Sequence, residues 1–187
     1  MTELSKQNRK RLPKKITPGY LENSSLYYLS RFATSAENLK RVMMRKVFRS
    51  AKHHGTNPDE GQILIEDMIA RYLNSGLLND KVYAKAKAAS LHRQGNSSRN
   101  IRAKLKQKGL DNEVIEIALS ALTEVDVNPE RAAAIHFARR RRLGPFQFNQ
   151  LNDELRKKHL ATMARAGFSY KIAKLIIFAA NEDDLPT

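Results

Sequence analysis

The sequence predicts an all-α fold: an elongated array of three tandem three-helix repeats, helix-turn-helix-like units preceded by a disordered basic arm. Three observations lead there. Apolar residues recur at i, i+3, i+4 spacing along most of the chain, the signature of amphipathic helices. No short run alternates apolar and polar residues between turn signals, as a half-buried strand would. Glycines and good N-caps punctuate the chain at recurring offsets. The expected bounds are 1–22 for the arm, 24–78, 79–124 and 128–181 for the repeats, and 182–187 for an acidic tail.

The arm holds Lys6, Arg9, Lys10, Arg11, Lys14 and Lys15 against Glu3 alone, with too little apolar surface to offset its ordering entropy. The first helix is expected from an N-cap at Ser25, carrying Leu26, Leu29 and Phe32. A second opens at Ser35, with Leu39, Val42, Met43 and Val47 on one face. A loop from His53 to Pro58, within a longer insertion from Arg49 to Gly61, leads to a third helix over 62–75. That helix turns Ile63, Ile65, Met68, Ile69, Tyr72 and Leu73 inward and ends at Gly76, a residue suited to a left-handed C′ position.

The second repeat follows the same plan. Asp80 is expected to cap a helix to Arg93, closed by Gly95; Ser97 caps the next, which ends at Lys108 and Gly109; Asp111 caps a third, with Val114, Ile115, Ala118, Leu119 and Leu122 inward. In the third repeat Asn128 precedes Pro129 at N1, where its missing N–H costs nothing. That helix stops near Gly144 and Pro145, a long one runs from about Gln150 to Ala166, and the last follows Ser169.

Direct alignment supports the repeat. Ser35–Phe48, Ser97–Leu110 and Leu155–Phe168 superpose Leu39 on Ile101, then Met43, Leu105 and Met163, then Phe48, Leu110 and Phe168. Gly109 and Gly167 share a column, and an N-cap, Asp111 or Ser169, follows the apolar residue in each. That apolar residue can act as a staple fixing the angle between two helices. The first copy departs, with Val47 in place of Gly. Each unit is small, so neighbours are expected to pack in series.

Composition narrows the function. The 187 residues carry 34 Lys and Arg against 19 Asp and Glu, a formal net charge of +15, which draws polyanions. There is no cysteine, hence no disulfide, thiolate zinc site or catalytic thiol, and a reducing cytoplasm is the expected compartment. No run approaches the roughly 20 apolar residues of a membrane span. His53 and His54 have no third ligand at metal spacing. Catalytic and phosphate-loop motifs are absent, so neither an enzyme nor a cofactor is expected.

The candidate contact residues are therefore cationic. The second repeat displays Lys85, Arg93, Arg99, Arg102, Lys104, Lys106 and Lys108, of which Arg99, Arg102 and Lys106 form one stripe. Between Arg93 and Leu110 acids are nearly absent, so local i,i+4 pairing cannot satisfy them. Arg139, Arg140, Arg141 and Arg142 end a helix, where cations suit the macrodipole as well as an anionic ligand. Arg156 and Lys157 add charge to the third repeat. Tyr27, Tyr28, Tyr72, Tyr83, Phe137 and Tyr170 sit mainly at core spacing and do not interleave with these cations as a base-stacking platform would. A single helix-turn-helix within Ser97–Leu122 is the competing architecture, against which repetition of the unit argues.

An ordered set of segments resembles the RecX family of recombinase regulators. Tyr28-Leu29-Ser30-Arg31 and Ser35-Ala36-Glu37 with Leu39 resemble the opening of its first repeat. Gly76-Leu77-Leu78-Asn79-Asp80 with Tyr83-Ala84-Lys85 resembles the turn into the second. Arg93-Gln94-Gly95, Ser97, Ile101, Leu105 and Lys108-Gly109-Leu110 resemble that second repeat, and Gly167-Phe168-Ser169-Tyr170 with Ile172 the start of the last helix. The likeness spans residues 24–180; Asn79 departs from the usual acidic residue, and the arm and the Arg49–Gly61 segment lie outside the pattern. Stacked repeats already bury the apolar faces, so a monomer is expected; the resemblance implies a regulator that binds the RecA–single-stranded DNA filament in its groove. It would suppress strand exchange and filament growth without metal or nucleotide, within recombination, repair and the SOS response. The alternative is a helical basic protein that binds DNA or RNA directly.

Overall fold

A computed structural model describes residues 12–147 and 151–185. Among these every regular element is helical, and the chain divides into two compact units, one ending at Leu78 and the other beginning at Asn79.

The first unit comprises α1 (Pro18–Leu29), α2 (Ala36–His54) and α3 (Pro58–Asn74). The first eleven residues of the expected arm lie outside the described residues, but its last part is ordered, which corrects the 1–22 boundary. Thr17 caps α1 by accepting the Tyr20 N–H, Pro18 supplies the preset φ of N1, and Leu21 enters the core. Ser25 is thus not a cap but a buried residue inside α1, and Leu26 and Phe32 are exposed. The 49–61 insertion is likewise corrected. α2 continues through Arg49 to His54, Gly55 closes it in the left-handed region, and Asn57 caps α3 at once. Only three residues, 55–57, separate the two helices. Phe48 therefore stays on a helix, 56% exposed, while its repeat counterparts Leu110 and Phe168 are buried in turns.

Leu39, Met43 and Val47 of α2 meet Ile65, Met68 and Tyr72 of α3 around Leu21. Ile63 and Leu73 face outward, contrary to expectation, because the buried stripe of α3 follows 65, 68, 69 and 72. Gly61 lies so close to Val47 that an added Cβ would sit 2.6 Å from its Cγ1, so the Val47 side chain packs directly on the α3 backbone there. At the opposite edge the Tyr72 hydroxyl donates to Glu22 at 2.8 Å; burial first, then this carboxylate, push the phenol pKa up.

The second unit holds α4 (Asp80–Arg93), α5 (Ser98–Gln107) and α6 (Asn112–Thr123), then α7 (Pro129–Arg141), a 3₁₀ turn (Gly144–Phe146), α8 (Asp153–Arg165) and α9 (Tyr170–Ile177). The cap of α4 is Asn79 rather than Asp80: its backbone is extended and its side chain accepts the Val82 N–H at 3.0 Å. Ser97 and Ser169 cap as expected; Asp111 stands at the N-cap of α6 without a side-chain bond. The expected start of the long helix at Gln150 lies outside the described residues, and α8 is capped by Asn152.

Each repeat of this unit closes its own core. One gathers Ala84, Ala88, Leu91, Ile101, Leu105 and Ile115; the other gathers Ala133, Phe137, Met163, Phe168, Ile176 and Ile177. Apart from Phe48, the aligned apolar residues reappear as buried positions, with Met43, Leu105 and Met163 fully enclosed. The two repeats are joined by polar locks. The Ser97 hydroxyl donates to the Ala166 carbonyl at 2.6 Å, His92 Nε2 donates to the Pro129 carbonyl at 2.6 Å, and Glu130 accepts from both the backbone and the hydroxyl of Ser98. Glu130 thus places a carboxylate at the positive end of α5 from a neighbouring helix.

Gly95, at φ +76°, makes this junction possible: a Cβ there would lie 2.7 Å from the Phe137 backbone nitrogen. Gly76 has nearly the same φ, +77°, but open space around it. Gly76→Ala should therefore cost only the left-handed backbone penalty, about 1–2 kcal/mol. Gly95→Ala adds a backbone clash and should cost about 3 kcal/mol or more. Urea unfolding followed by circular dichroism separates the two; equal losses would mean that the α4–α7 approach is not tight.

Candidate cationic interface

The second unit brings some of the predicted cations together and occupies others internally. At the end of α4, Arg93 and Gln94 face His136, Arg139 and Arg140 of α7 across a shallow cleft with no carboxylate in its lining. The Gly95 junction produces this convergence, by pressing the end of α4 onto α7. Arg139 is also held from its far side, 5.2 Å from the Phe146 ring centre and 3.3 Å from Glu182. The acidic segment that carries Glu182 is pinned by Leu185, which is buried in the third repeat's core. Arg140 and Arg141 each lie 6.0 Å from the Phe137 ring centre, and Arg141 and Arg142 are not part of the cleft lining. The four arginines are therefore not one site. Two join Arg93, while Arg142 is the C-cap of α7 in the left-handed region at φ 54°.

A second cleft is lined by Arg99, Asn100 and Ala103 of α5 and by Ala164, Arg165, Ala166 and Gly167. Gly167 is required there, since a Cβ would sit 2.6 Å from the Ser97 hydroxyl at φ +92°. Two cations thus flank the Ser97–Ala166 lock. Arg165 was not among the sequence candidates.

The predicted stripe of Arg99, Arg102 and Lys106 is not uniform. Arg102 makes a two-pronged contact with Glu116 of α6, Nε to Oε1 at 2.8 Å and a second nitrogen to Oε2 at 3.0 Å. The hydrogen bond from Arg102 holds the Glu116 carboxyl below the usual range and raises the guanidinium in turn. Both partners are well exposed, so the pair is worth about 1 kcal/mol or less. Counting acids only within the segment 93–110 missed it, because the partner lies on the next helix. Lys104 donates to Asn96 Oδ1 at 2.7 Å. Lys85 and Lys106 are exposed and Lys108 half-buried. Arg156 is engaged within its repeat, 3.2 Å from Asp153 and 5.4 Å from the Phe178 ring centre, whereas Lys157 is exposed on the same helix.

The first unit contains an arrangement that the sequence reading excluded. Tyr27 is 64% exposed, not at a core position, and with Tyr28 and Ser24 of α1 it lines a groove whose other wall is Val42, Met43, Arg45, Lys46 and Arg49 of α2. Aromatics and cations therefore do interleave here. The signal was available in the i, i+4 spacing of Arg45 and Arg49, beside the buried Met43 and Val47, but reading a loop from Arg49 removed it from the helix.

His159 was also missed. It occupies the column of Leu39 and Ile101, is only 8% exposed, and its Nδ1 accepts the Gly144 N–H at 3.1 Å. It thereby fixes the turn that follows the arginine cluster. Burial lowers its pKa below the ordinary histidine value, which matches the unprotonated Nδ1. His53 and His54 end α2 ring edge to ring face, with His54 Nε2 donating to the Pro13 carbonyl at 2.8 Å. Among the described residues no group of three potential metal ligands converges, and no helix is long and apolar enough to cross a membrane.

Residues 79–119, from the cap of α4 into α6, match the family described as RecX, second three-helix domain. The chain is 43% identical over 173 residues to the regulatory protein RecX of Myxococcus xanthus (strain DK1622), covering 92% of this chain and 91% of that protein. It is 27% identical over 164 residues to the regulatory protein RecX of Agrobacterium fabrum (strain C58 / ATCC 33970), covering 88% and 85% respectively.

His159 generates a pH prediction. Its folded pKa lies below its unfolded one, so the neutral ring contributes fully above about pH 6.5, and that contribution is lost as pH falls through the folded pKa. The wild type should lose stability relative to His159→Gln between pH 7.5 and pH 5, the glutamine keeping an acceptor for Gly144. Urea midpoints at the two pH values test this; parallel shifts in both proteins would show that His159 is not the titrating group.

Proposed function

The chain belongs to the RecX family of regulatory proteins, and from that membership we propose that it binds the RecA–single-stranded DNA filament along its groove and chiefly inhibits it. The processes held back would be filament growth, ATP hydrolysis and strand exchange, in recombination, repair and the SOS response. The observation that carries this reading is 43% identity across 92% of the chain to a regulatory protein of that family. The cleft of Arg93, Arg139 and Arg140 supports it physically, as a concentrated cationic surface on a chain of net charge +15, facing no acid in its own lining. Regulation by occupancy needs no reacting group; the protein acts as a monomer in the cytoplasm, without cofactor or catalysis.

The contact set is drawn from the cationic residues of the second unit. Arg93 and Arg140 are its centre, with Arg139 beside them in the same cleft but shared with Glu182; Arg99 and Arg165 are a second point, and Lys85, Lys106, Lys108 and Lys157 are peripheral charge. Arg102 and Arg156 contribute through the scaffold, since both are already held within their repeats.

A direct nucleic-acid binder with no recombinase partner is the second reading, favoured by the tyrosine-lined groove of the first unit. The two differ in what they require. Titrating the chain into RecA-catalysed, single-strand-dependent ATP hydrolysis should inhibit it at substoichiometric amounts. Arg93→Glu with Arg140→Glu should raise the concentration needed at least about tenfold, consistent with loss of a charged contact pair. Arg102→Ala should change it little. No inhibition at equimolar protein would remove the filament reading. Salt-sensitive binding to naked nucleic acid, about −0.7 in log–log slope per neutralised phosphate, would then install the second.

A further inference from the structure

We infer that the groove between α1 and α2 is a binding site for unpaired nucleotides, in which Tyr27 stacks on a base while Arg45, Lys46 and Arg49 hold the phosphates. The inference rests on the filament reading only for the source of the single strand; it concerns the naked chain and needs no recombinase.

The argument begins with charge. Four carboxylates of the first unit are engaged away from the groove, Glu22 with Arg71 and Tyr72, Glu37 with Arg41, Glu66 with Lys40, and Asp67 with Arg71, while Asp59 and Glu60 sit in the first turn of α3. None of them lines the groove. On the groove side Arg45 and Arg49 are exposed and have no ion-pair partner among the described residues, Arg49 donating only to the Arg45 carbonyl. Lys46 lies 5.6 Å from the Tyr20 ring centre, also without a carboxylate. Arg45 and Lys46 on one turn of α2 and Arg49 on the next thus line one wall with no carboxylate partner among the described residues.

The opposite wall supplies the aromatic surface. Tyr27 is the exposed ring, and it is preorganised: Arg31 donates to its hydroxyl at 2.8 Å and lies 5.3 Å from its ring centre. Tyr28 is fixed by Asn38 at its hydroxyl and packs against Phe32 at 5.1 Å. The groove encloses about 320 Å³ over a floor that includes Val42 and Met43, the lower end of the range for small-ligand sites and enough for a single base. An aromatic ring flanked by a cationic track is how single strands are held without sequence reading, because every base offers a π-face. A duplex keeps its bases stacked on each other and offers the ring nothing. An acidic peptide could satisfy the cations, but it would leave the exposed tyrosine face without a planar partner.

The chain contains no tryptophan, so Tyr27→Trp introduces a unique fluorophore at the site. Titration with a thymidine oligonucleotide should quench its emission saturably. Duplex DNA of the same length and polyglutamate of matched charge should not. In the otherwise native chain, Tyr27→Ala should weaken oligonucleotide binding about 5- to 100-fold, the loss of one stacked base. Arg45→Gln with Arg49→Gln should lower the log–log salt slope by about 0.7 for each arginine. Circular dichroism confirms that these surface variants fold. Quenching by polyglutamate and not by the oligonucleotide would make the groove a site for an acidic protein segment and overturn the inference. So would equal quenching by duplex, or oligonucleotide binding indifferent to Tyr27→Ala. Any of these outcomes leaves inhibition of the recombinase to be decided by its own assay.

Discussion

The close approach of the α4–α5 turn to the backbone of α7, possible only because residue 95 is glycine, organises the second unit. It brings two helix C-termini, each already carrying partial negative charge, and their arginines to one place. Arginines gathered this way repel one another, so the cluster cannot be its own reason for forming. It exists because apolar cores on either side, and the Ser97–Ala166, His92–Pro129 and Ser98–Glu130 locks, hold the two repeats in register. The locks are backbone-directed. Substituting a surface arginine should therefore change the binding potential without moving the scaffold.

That division explains what was legible in the sequence. The all-helical class, the three repeats and most caps were, because they rest on local rules: apolar spacing, a cap residue, and a glycine at positive φ. The aligned columns were legible for the same reason, since Met43, Leu105 and Met163 must each meet a neighbouring helix. Errors arose where a local signal had two meanings. Ser25 looked like a cap, but Thr17 followed by Pro18 was the stronger start, and Ser25 is buried within the helix that begins there. The run His53 to Pro58 looked like a loop, yet only three of its residues lie outside α2 and α3.

The site was harder to read than the fold. Whether a cation is available depends on partners that are distant in sequence. Arg102 seemed unpaired because no acid lies near it in its own segment, but Glu116 on the adjacent helix takes both of its nitrogens. The opposite holds in the first unit, where Glu22, Glu37, Glu66 and Asp67 draw other cations and Arg45 and Arg49 have no ion-pair partner among the described residues. Net charge says that a polyanion will be attracted; the pairing pattern says where it can be gripped. Arg156 and Arg139 show an intermediate case, cations that pack on aromatic faces and lend charge while serving the core.

His159 shows how far repetition constrains the chain and where it stops. The column it shares with Leu39 and Ile101 requires burial, and in two repeats an aliphatic side chain meets that requirement. The third repeat reaches the same column after a 3₁₀ turn whose Gly144 N–H points inward and needs an acceptor. A leucine would leave that donor unsatisfied, at a cost of about 1–3 kcal/mol, while a neutral imidazole fills the volume and accepts the bond. The repeat therefore dictates where side chains go, and the local backbone dictates which chemistry they must have. Surface positions answer to neither demand. Three copies of one scaffold can for that reason present a tyrosine groove in one unit and arginine clefts in the other, so that surface chemistry need not repeat with the fold.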